Sequence, residues 1–236
     1  MIETMVKENV KYAIIVAGGA GVRMGGEIPK QFLPIGGLPV LMHTLNKFNA
    51  YDAALYLILV LPESQFEYWQ GLCEKYAFSV SHRLVKGGSS RFNSVQNGLG
   101  SITEEEGLVA IHDGVRPFVS KEVIQESFEG AATHGSAIAV VTLKDSIRRV
   151  DANGTSQFKN RDEFRLVQTP QTFQLKKIKA AFLTDEEPFF TDDATVYENM
   201  GWKVHLIAGN QENIKLTTPE DLSYADYLLE RKGKAD

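Results

Sequence analysis

The stretch from Ala13 to Gln31 constrains this chain most, because the continuous apolar run Ala13-Ile14-Ile15-Val16 leads straight into Gly18, Gly19 and Gly21. A short run rich in β-branched residues reads as a strand buried on both faces of a parallel sheet. Glycines just beyond such a strand let the backbone turn sharply and bring its N–H groups against an anion with no Cβ in the way. Arg23 and Lys30 add permanent positive charge at the same place, with no acidic cluster to cancel it. The segment reads as a cradle for a triphosphate.

Two better-known glycine loops fail on spacing. A dinucleotide fingerprint begun at Gly19 meets Gly21 but then requires glycine where Met24 stands, and no acidic residue follows at about 20 positions to hold a ribose. A P-loop begun at Gly21 reaches Gly26 but meets Glu27 where lysine is required. What remains, G-G-x-G-x-R-M followed by P-K-Q, resembles the nucleotidyltransferases that activate sugar phosphates.

At 236 residues the chain suits one large α/β domain, 1–236, and is short for two. No apolar run approaches the length of a membrane span, and the N-terminal stretch carries acids without an apolar core, unlike a secretory signal. The single cysteine, Cys73, excludes an internal disulfide and a cysteine-based zinc site, so a cytoplasmic setting is expected. A net charge of −5 argues against nucleic acid as a partner.

Strand-like and helix-like segments alternate, the pattern of βαβ units around a mainly parallel sheet. Helices are expected from Pro39 to Phe48 and over 63–76, Arg91–Leu99 and 120–134. Strands are expected at Leu55–Leu61, Phe78–Val85, Leu108–Ile111 and Ala137–Val141. Residues 144–168 break the rhythm: Asp151-Ala152-Asn153-Gly154 is turn chemistry between two polar extended runs, which predicts a protruding β-hairpin. Neither run is apolar enough to join the main core, so the hairpin needs another surface, and a symmetry mate is the usual one. Gln168 to Phe173, Q-T-P-Q-T-F, reads as a rigid turn after it.

Two further loops point at the same crevice. Gly87-Gly88-Ser89-Ser90 follows a strand and opens a helix; the glycines let backbone approach a base, and Ser94 can present a hydroxyl, though a purely structural loop has the same composition. Ala110 to Phe118, A-I-H-D-G-V-R-P-F, places Asp113 and Arg116 at a strand end, where the carboxyl-end rule puts ligands. Asp113 suits a sugar hydroxyl, a metal or a satisfied turn, and Arg116 suits a phosphate or the surface. Thr191-Asp192-Asp193-Ala194 offers a hydroxyl and two carboxylates at a helix start. Thr218 as N-cap with Pro219 and Asp221 in the first turn explains the tail but leaves Lys215 unexplained.

Taken in order, A-G-G-x-G-x-R-M with P-K-Q, G-G-x-x-R-x-x-S-V, H-D-x-x-R-P, K-D-S, T-P-Q-x-F, T-D-D-A and N-I-K-x-T-x-P-E-D-L resemble the 2-C-methyl-D-erythritol 4-phosphate cytidylyltransferase family from about Tyr12 to Leu229. The loop H-D-G-V-R-P-F departs from the two alanines of many members, and with Q-T-P-Q-T-F also resembles the ribitol-5-phosphate cytidylyltransferases. The resemblance implies a three-layer α/β/α sandwich with a Rossmann-like, mainly parallel sheet and a hairpin dimerisation arm at about 144–168. It implies CTP held by Ala17, Gly18, Gly19, Gly21, Gly87, Gly88, Ser94 and Lys215, with Arg23 and Lys30 catalytic. It further implies a polyol phosphate held by Asp113, Arg116, Thr191, Ser146, Arg161, Thr169 and Lys215, with Ser146, Arg161 and Thr169 supplied by a partner's arm. Mg2+ is expected on the substrate phosphates with no dedicated protein ligands. A non-catalytic nucleotide-binding module would keep the glycine loops but has no reason to keep Arg23, Lys30 and Lys215 together.

Overall fold

Alternation along the first strand fixes the layering. Ala13 and Ile15 pack into one apolar cluster while Tyr12, Ile14 and Val16 pack into a second, so the strand is covered on both sides. The computed structural model describes residues 10–18 and 28–232; the expectations placed on Gly19, Gly21 and Arg23 lie outside them. In chain order the elements are β1 (Lys11–Val16), β2 (Pro34–Ile35), β3 (Leu38–Pro39), α1 (Val40–Tyr51), β4 (Tyr56–Leu61), α2 (Phe66–Lys75), β5 (Arg83–Lys86), α3 (Arg91–Gly100) and β6 (Leu108–Asp113). They continue with α4 (Lys121–His134), β7 (Ser136–Thr142), β8 (Ile147–Val150), β9 (Ser156–Lys159), β10 (Arg165–Gln174), α5 (Leu175–Ala181), α6 (Asp193–Glu198), β11 (Leu206–Ala208) and α7 (Pro219–Lys232).

Seven strands form one sheet in the order β11-β7-β10-β6-β1-β4-β5, and only β10 runs antiparallel to its neighbours. Leu41, Met42, Leu45 and Phe48 of α1, Trp69 of α2 and Phe128 of α4 cover one face. Phe92 and Val95 of α3, Leu175 and Ile178 of α5, and Val196 and Tyr197 of α6 cover the other. This is the three-layer sandwich the sequence leads one to expect. A third, smaller cluster holds α7 through Ala225 and Leu228 against Ile35, Val40, Phe118 and Leu216.

Several boundaries differ from the expected ones for local reasons. The segment 63–76 opens with a 3-10 turn, Glu63–Gln65, before α2 begins. The strand expected over Phe78–Val85 starts only at Arg83, because Phe78 and His82 turn onto the Trp69 ring and the indole N–H donates to His82 Nε2 at 2.9 Å.

The larger correction concerns Q-T-P-Q-T-F, which is not a turn but the middle of β10. Gln171, Thr172 and Phe173 pair with Ile111, Ala110 and Val109 on one side and Ile138, Ala137 and Ser136 on the other. Proline is ordinarily kept out of a central strand by its missing N–H. Here Pro170 falls where the register shifts between Val167 and Gln171 and the ladder is already interrupted.

The hairpin is present: β8 and β9 pair as a separate two-stranded ribbon. Asp151 Oδ1 accepts from the N–H groups of Asn153 and Thr155 at 3.0 and 2.9 Å, and Gly154 takes the positive φ the turn demands. Its far limit moves, since Arg165, Leu166 and Val167 already pair with Thr142, Val141 and Val140 in the main sheet. Val150 and Phe158 on the ribbon are 62% and 70% exposed.

Candidate active site

Asp113, the last residue of β6, lies 6% exposed at the carboxyl end of the sheet. Three cations meet its carboxylate: Lys215 Nζ at 3.1 Å, Arg116 Nε at 3.2 Å and Arg91 Nε at 3.4 Å. Burial alone would push this carboxyl up; the charges of Arg91, Lys215 and Arg116 outweigh it and hold the group well below the usual carboxylate range. Asp113 is therefore an ionised, acceptor-only group.

Each cation comes from a different element. Arg91 is the first residue of α3, behind the N-cap Ser90, where the helix dipole disfavours positive charge. Its terminal nitrogens donate to both carboxylate oxygens of Asp193 at 2.8 and 2.7 Å. Asp193 opens α6, and burial pushes its carboxyl up against the opposing pull of Arg91. Gln171 of β10 holds that turn, donating to Asp192 Oδ2 at 2.9 Å and accepting from the Ala194 N–H at 2.8 Å. Arg116 donates to the Asn213 carbonyl at 2.8 Å, and the buried Asn213 amide donates to the Thr169 carbonyl at 2.7 Å. The three cations against Asp113 and Asp193 leave one net positive charge.

Arg91, Asp113 and Lys215 separate two cavities while lining both. The first, about 440 Å3, is also lined by Ala17, Gly18, Lys30, Gly88, Ser90 and Ser94. The second, about 290 Å3, is also lined by Arg116, Thr169, Thr191, Gln171 and Asp192.

Local geometry explains several of these residues. A Cβ on Gly88 would lie 2.3 Å from Asn93 Cβ and 2.8 Å from the Asn93 backbone carbon, so only glycine lets this loop sit on α3. Gly87 lies behind it, its N–H donating to the Leu61 carbonyl at 2.8 Å. The Ser94 hydroxyl donates to the Ser90 carbonyl at 2.8 Å and accepts from the Gly88 N–H at 3.1 Å, so it ties the loop down with its only hydrogen. Gln31 donates to the Ala17 carbonyl at 3.0 Å and to Gln65 Oε1 at 2.9 Å, which explains the glutamine of P-K-Q.

The residues expected on the arm divide. Thr169 belongs to the main sheet, not to the arm: its hydroxyl accepts from the backbone N–H of Asp113 in its own chain at 3.1 Å, and it lines the second cavity. Ser146 and Arg161 are on the arm and exposed; the Arg161 guanidinium donates to the Lys144 carbonyl, and neither residue lines either cavity. Arg91, Gln171 and Asn213 received no role from the sequence, and Asp193 was read only as one of two carboxylates at a helix start. The signal for Arg91 was a cation at a helix start, which requires carboxylate partners elsewhere.

The family model for 2-C-methyl-D-erythritol 4-phosphate cytidylyltransferase (IspD) matches residues 11–231. The chain belongs to this family. It is 53% identical to the 2-C-methyl-D-erythritol 4-phosphate cytidylyltransferase of Bacteroides thetaiotaomicron over 92% of this chain and 98% of that one. The enzyme of that name from Porphyromonas gingivalis is 50% identical over 94% and 99% of the two chains. The crystal structure of 4-diphosphocytidyl-2C-methyl-D-erythritol synthase from Anaerococcus prevotii superposes with a TM-score of 0.82 at 32% identity, covering 94% of this chain and 97% of that one. Within the cytidylyltransferase fold, the departure at H-D-G-V-R-P-F has a packing component. A Cβ on Gly114 would lie 2.9 Å from Ala17 Cβ and 3.0 Å from Leu41 Cδ1, so alanine there requires its neighbours to move.

Proposed function

We propose that CTP occupies the first cavity and 2-C-methyl-D-erythritol 4-phosphate the second, and that transfer takes place at the Arg91–Asp113–Lys215 wall between them. The observation that carries this reading is the sharing of those three residues by both cavities. A phosphate oxygen of the polyol attacks the α-phosphorus of CTP. That O–P bond forms as the bond to the β-phosphate oxygen breaks, and pyrophosphate leaves on the opposite side, giving 4-diphosphocytidyl-2-C-methyl-D-erythritol for the non-mevalonate isoprenoid pathway. Bringing two anions together makes fixed cations the main catalytic need. Lys30, on the nucleotide side, and Arg23 take that role, with Ala17, Gly18, Gly19, Gly21 and Gly88 around the phosphates and base. No general base is needed for an ionised phosphate.

On the acceptor side, Asp113 accepts from polyol hydroxyls, with Thr191 beside it, while Arg116 and Lys215 draw in the phosphate. The Thr169 oxygen already accepts from the Asp113 N–H, which leaves its own hydrogen for a phosphate oxygen. Magnesium arrives as part of the nucleotide substrate, because Mg2+ dehydrates reluctantly and suits phosphate oxygens and water. Asp113, the carboxylate common to both cavities, already faces three cations. Carried on the phosphates, such an ion would supply charge to offset the departing pyrophosphate.

The arm serves a homodimer in this reading. Exposed Val150, Phe158 and Phe164 give it apolar surface to bury, and Ser146 and Arg161 reach the partner's acceptor cavity. Dependence on CTP and the free thiol of Cys73 support a cytoplasmic setting. Pyrophosphate release from CTP, with methylerythritol phosphate and ribitol 5-phosphate offered in turn, tests the reading. A higher kcat/KM with methylerythritol phosphate is expected, and a preference for ribitol 5-phosphate would reverse the acceptor.

A further inference from the structure

The pair formed by Asp193 and Arg91 is not required by the layers it joins. An ion pair buried between helices commonly stabilises less than apolar residues of the same volume would, and Arg91 also opposes the dipole of the helix it begins. Asp193 is 1% exposed and does not line either cavity, so it has no access to a substrate there. Both of its oxygens nevertheless hold the terminal nitrogens of an arginine that lines both.

The guanidinium is planar and its donors are rigidly disposed. With two nitrogens fixed on Asp193, the direction of the third is fixed as well, and that third nitrogen, Nε, faces Asp113 Oδ1 at 3.4 Å. The same fork ties the start of α6, two residues after Thr191, to the start of α3. The aromatic rings of Phe92 and Phe190, which flank this tie on the two segments, stack at 5.8 Å.

We propose that Asp193 is a positioning residue for the transfer reaction, acting through the Arg91 fork to set the Asp113 carboxylate and the Thr191 turn at the boundary of the two cavities. This rests on the assignment of Asp113 and Thr191 to the acceptor. Misplacing a reacting group by about 1 Å can cost on the order of 10²-fold in rate, so a residue that never meets substrate can still govern turnover.

The test is a double-mutant cycle. Asp193→Asn is isosteric but sets an N–H donor against the guanidinium donors and breaks the fork. Arg91→Lys keeps the cation and loses the fork. With CTP and methylerythritol phosphate, each is expected to lower kcat/KM for the acceptor by roughly 10- to 100-fold, measured well below its thermal midpoint. The double variant is expected to lose no more than the worse single, because both remove the same fork. A lowered thermal midpoint with acceptor kinetics within about twofold of wild type, or losses that multiply in the double variant, overturns the proposal. Should Asp193→Asn fail to fold, Arg91→Lys alone decides on the same criterion. Asp113→Asn separates this inference from the reading beneath it. Loss there with none in the fork variants overturns the inference alone, and no loss in any of the three overturns the acceptor assignment as well.

Discussion

Thr169 and Asp113 lie on neighbouring antiparallel strands, and the Thr169 hydroxyl accepts from the Asp113 backbone N–H at 3.1 Å, next to the shift in the β10 ladder. A side chain thus replaces a backbone carbonyl as the partner of a buried amide. Thr169→Val keeps the shape and leaves that N–H unpaired, which costs about 1 to 3 kcal/mol. Urea unfolding should show that loss, and the KM for the polyol phosphate should rise. Thr169→Ser should restore much of both, whereas wild-type behaviour in Thr169→Val removes the hydroxyl from site and fold alike.

Lys30→Ala and Arg23→Ala should leave the apolar clusters intact while turnover collapses. Loss of one preorganised charge donor predicts a fall of roughly 10² to 10³ in kcat, with less change in CTP binding. Steady-state pyrophosphate release gives kcat, and calorimetric titration with CTP gives the binding side. Near-normal turnover in either variant takes that residue out of the mechanism.

His112 should impose a pH dependence on stability. Its ring is buried, Nε2 faces the Arg116 carbonyl at 3.1 Å, and Nδ1 has no partner among the described residues. Burial pushes the imidazole down from 6.5 to about 4. The unfolded chain therefore binds the proton more tightly, so the His112 contribution is complete above pH 6.5 and is lost as pH falls toward about 4, a total loss of about 3 kcal/mol. His43 and His82 are also pushed down by burial, so the useful quantity is the difference between wild type and His112→Gln. Unfolding free energies at pH 7 and pH 5 should converge for the two proteins as pH falls; parallel curves would assign the slope to other groups.

Subunit mixing tests the arm. Lys30→Ala and Arg161→Ala should each be nearly inactive alone. In a mixed dimer, one site combines an intact Lys30 body with an intact Arg161 arm, and the other carries both lesions. Random exchange of equal amounts should return about a quarter of wild-type activity, since half the dimers are mixed and each has one good site. Demonstrated exchange without recovery would place Arg161 in its own subunit's site.

The parallel layers were legible because β1, β4 and β6 are continuous apolar runs, which have few alternatives. The nucleotide-side loops were legible because glycine at a strand end carries its conformational reason with it. β10 was not, since its proline hides a ladder break that only the two neighbouring strands reveal. Arg91 and Asp193 escaped for a related reason. They lie far apart in sequence, and neither residue type announces a partner until α3 and α6 are laid on the same face of the sheet. The resemblance implied Thr169 on the partner's arm, whereas it belongs to β10 and its hydroxyl accepts from the Asp113 N–H of its own chain, a contact that no local sequence pattern announces.

Thr142 and Arg165 face each other across β7 and β10, so the chain leaves the sheet for the arm and returns to the position directly opposite. In topological terms residues 143–164 are an overgrown hairpin connection. A lineage can lengthen, trim or exchange such an excursion without re-registering a strand, and a designer can graft one from a relative onto the same two feet. The strands that line the two cavities then keep their register whatever becomes of the excursion, so its length and sequence can change while the walls of the site stay where they are.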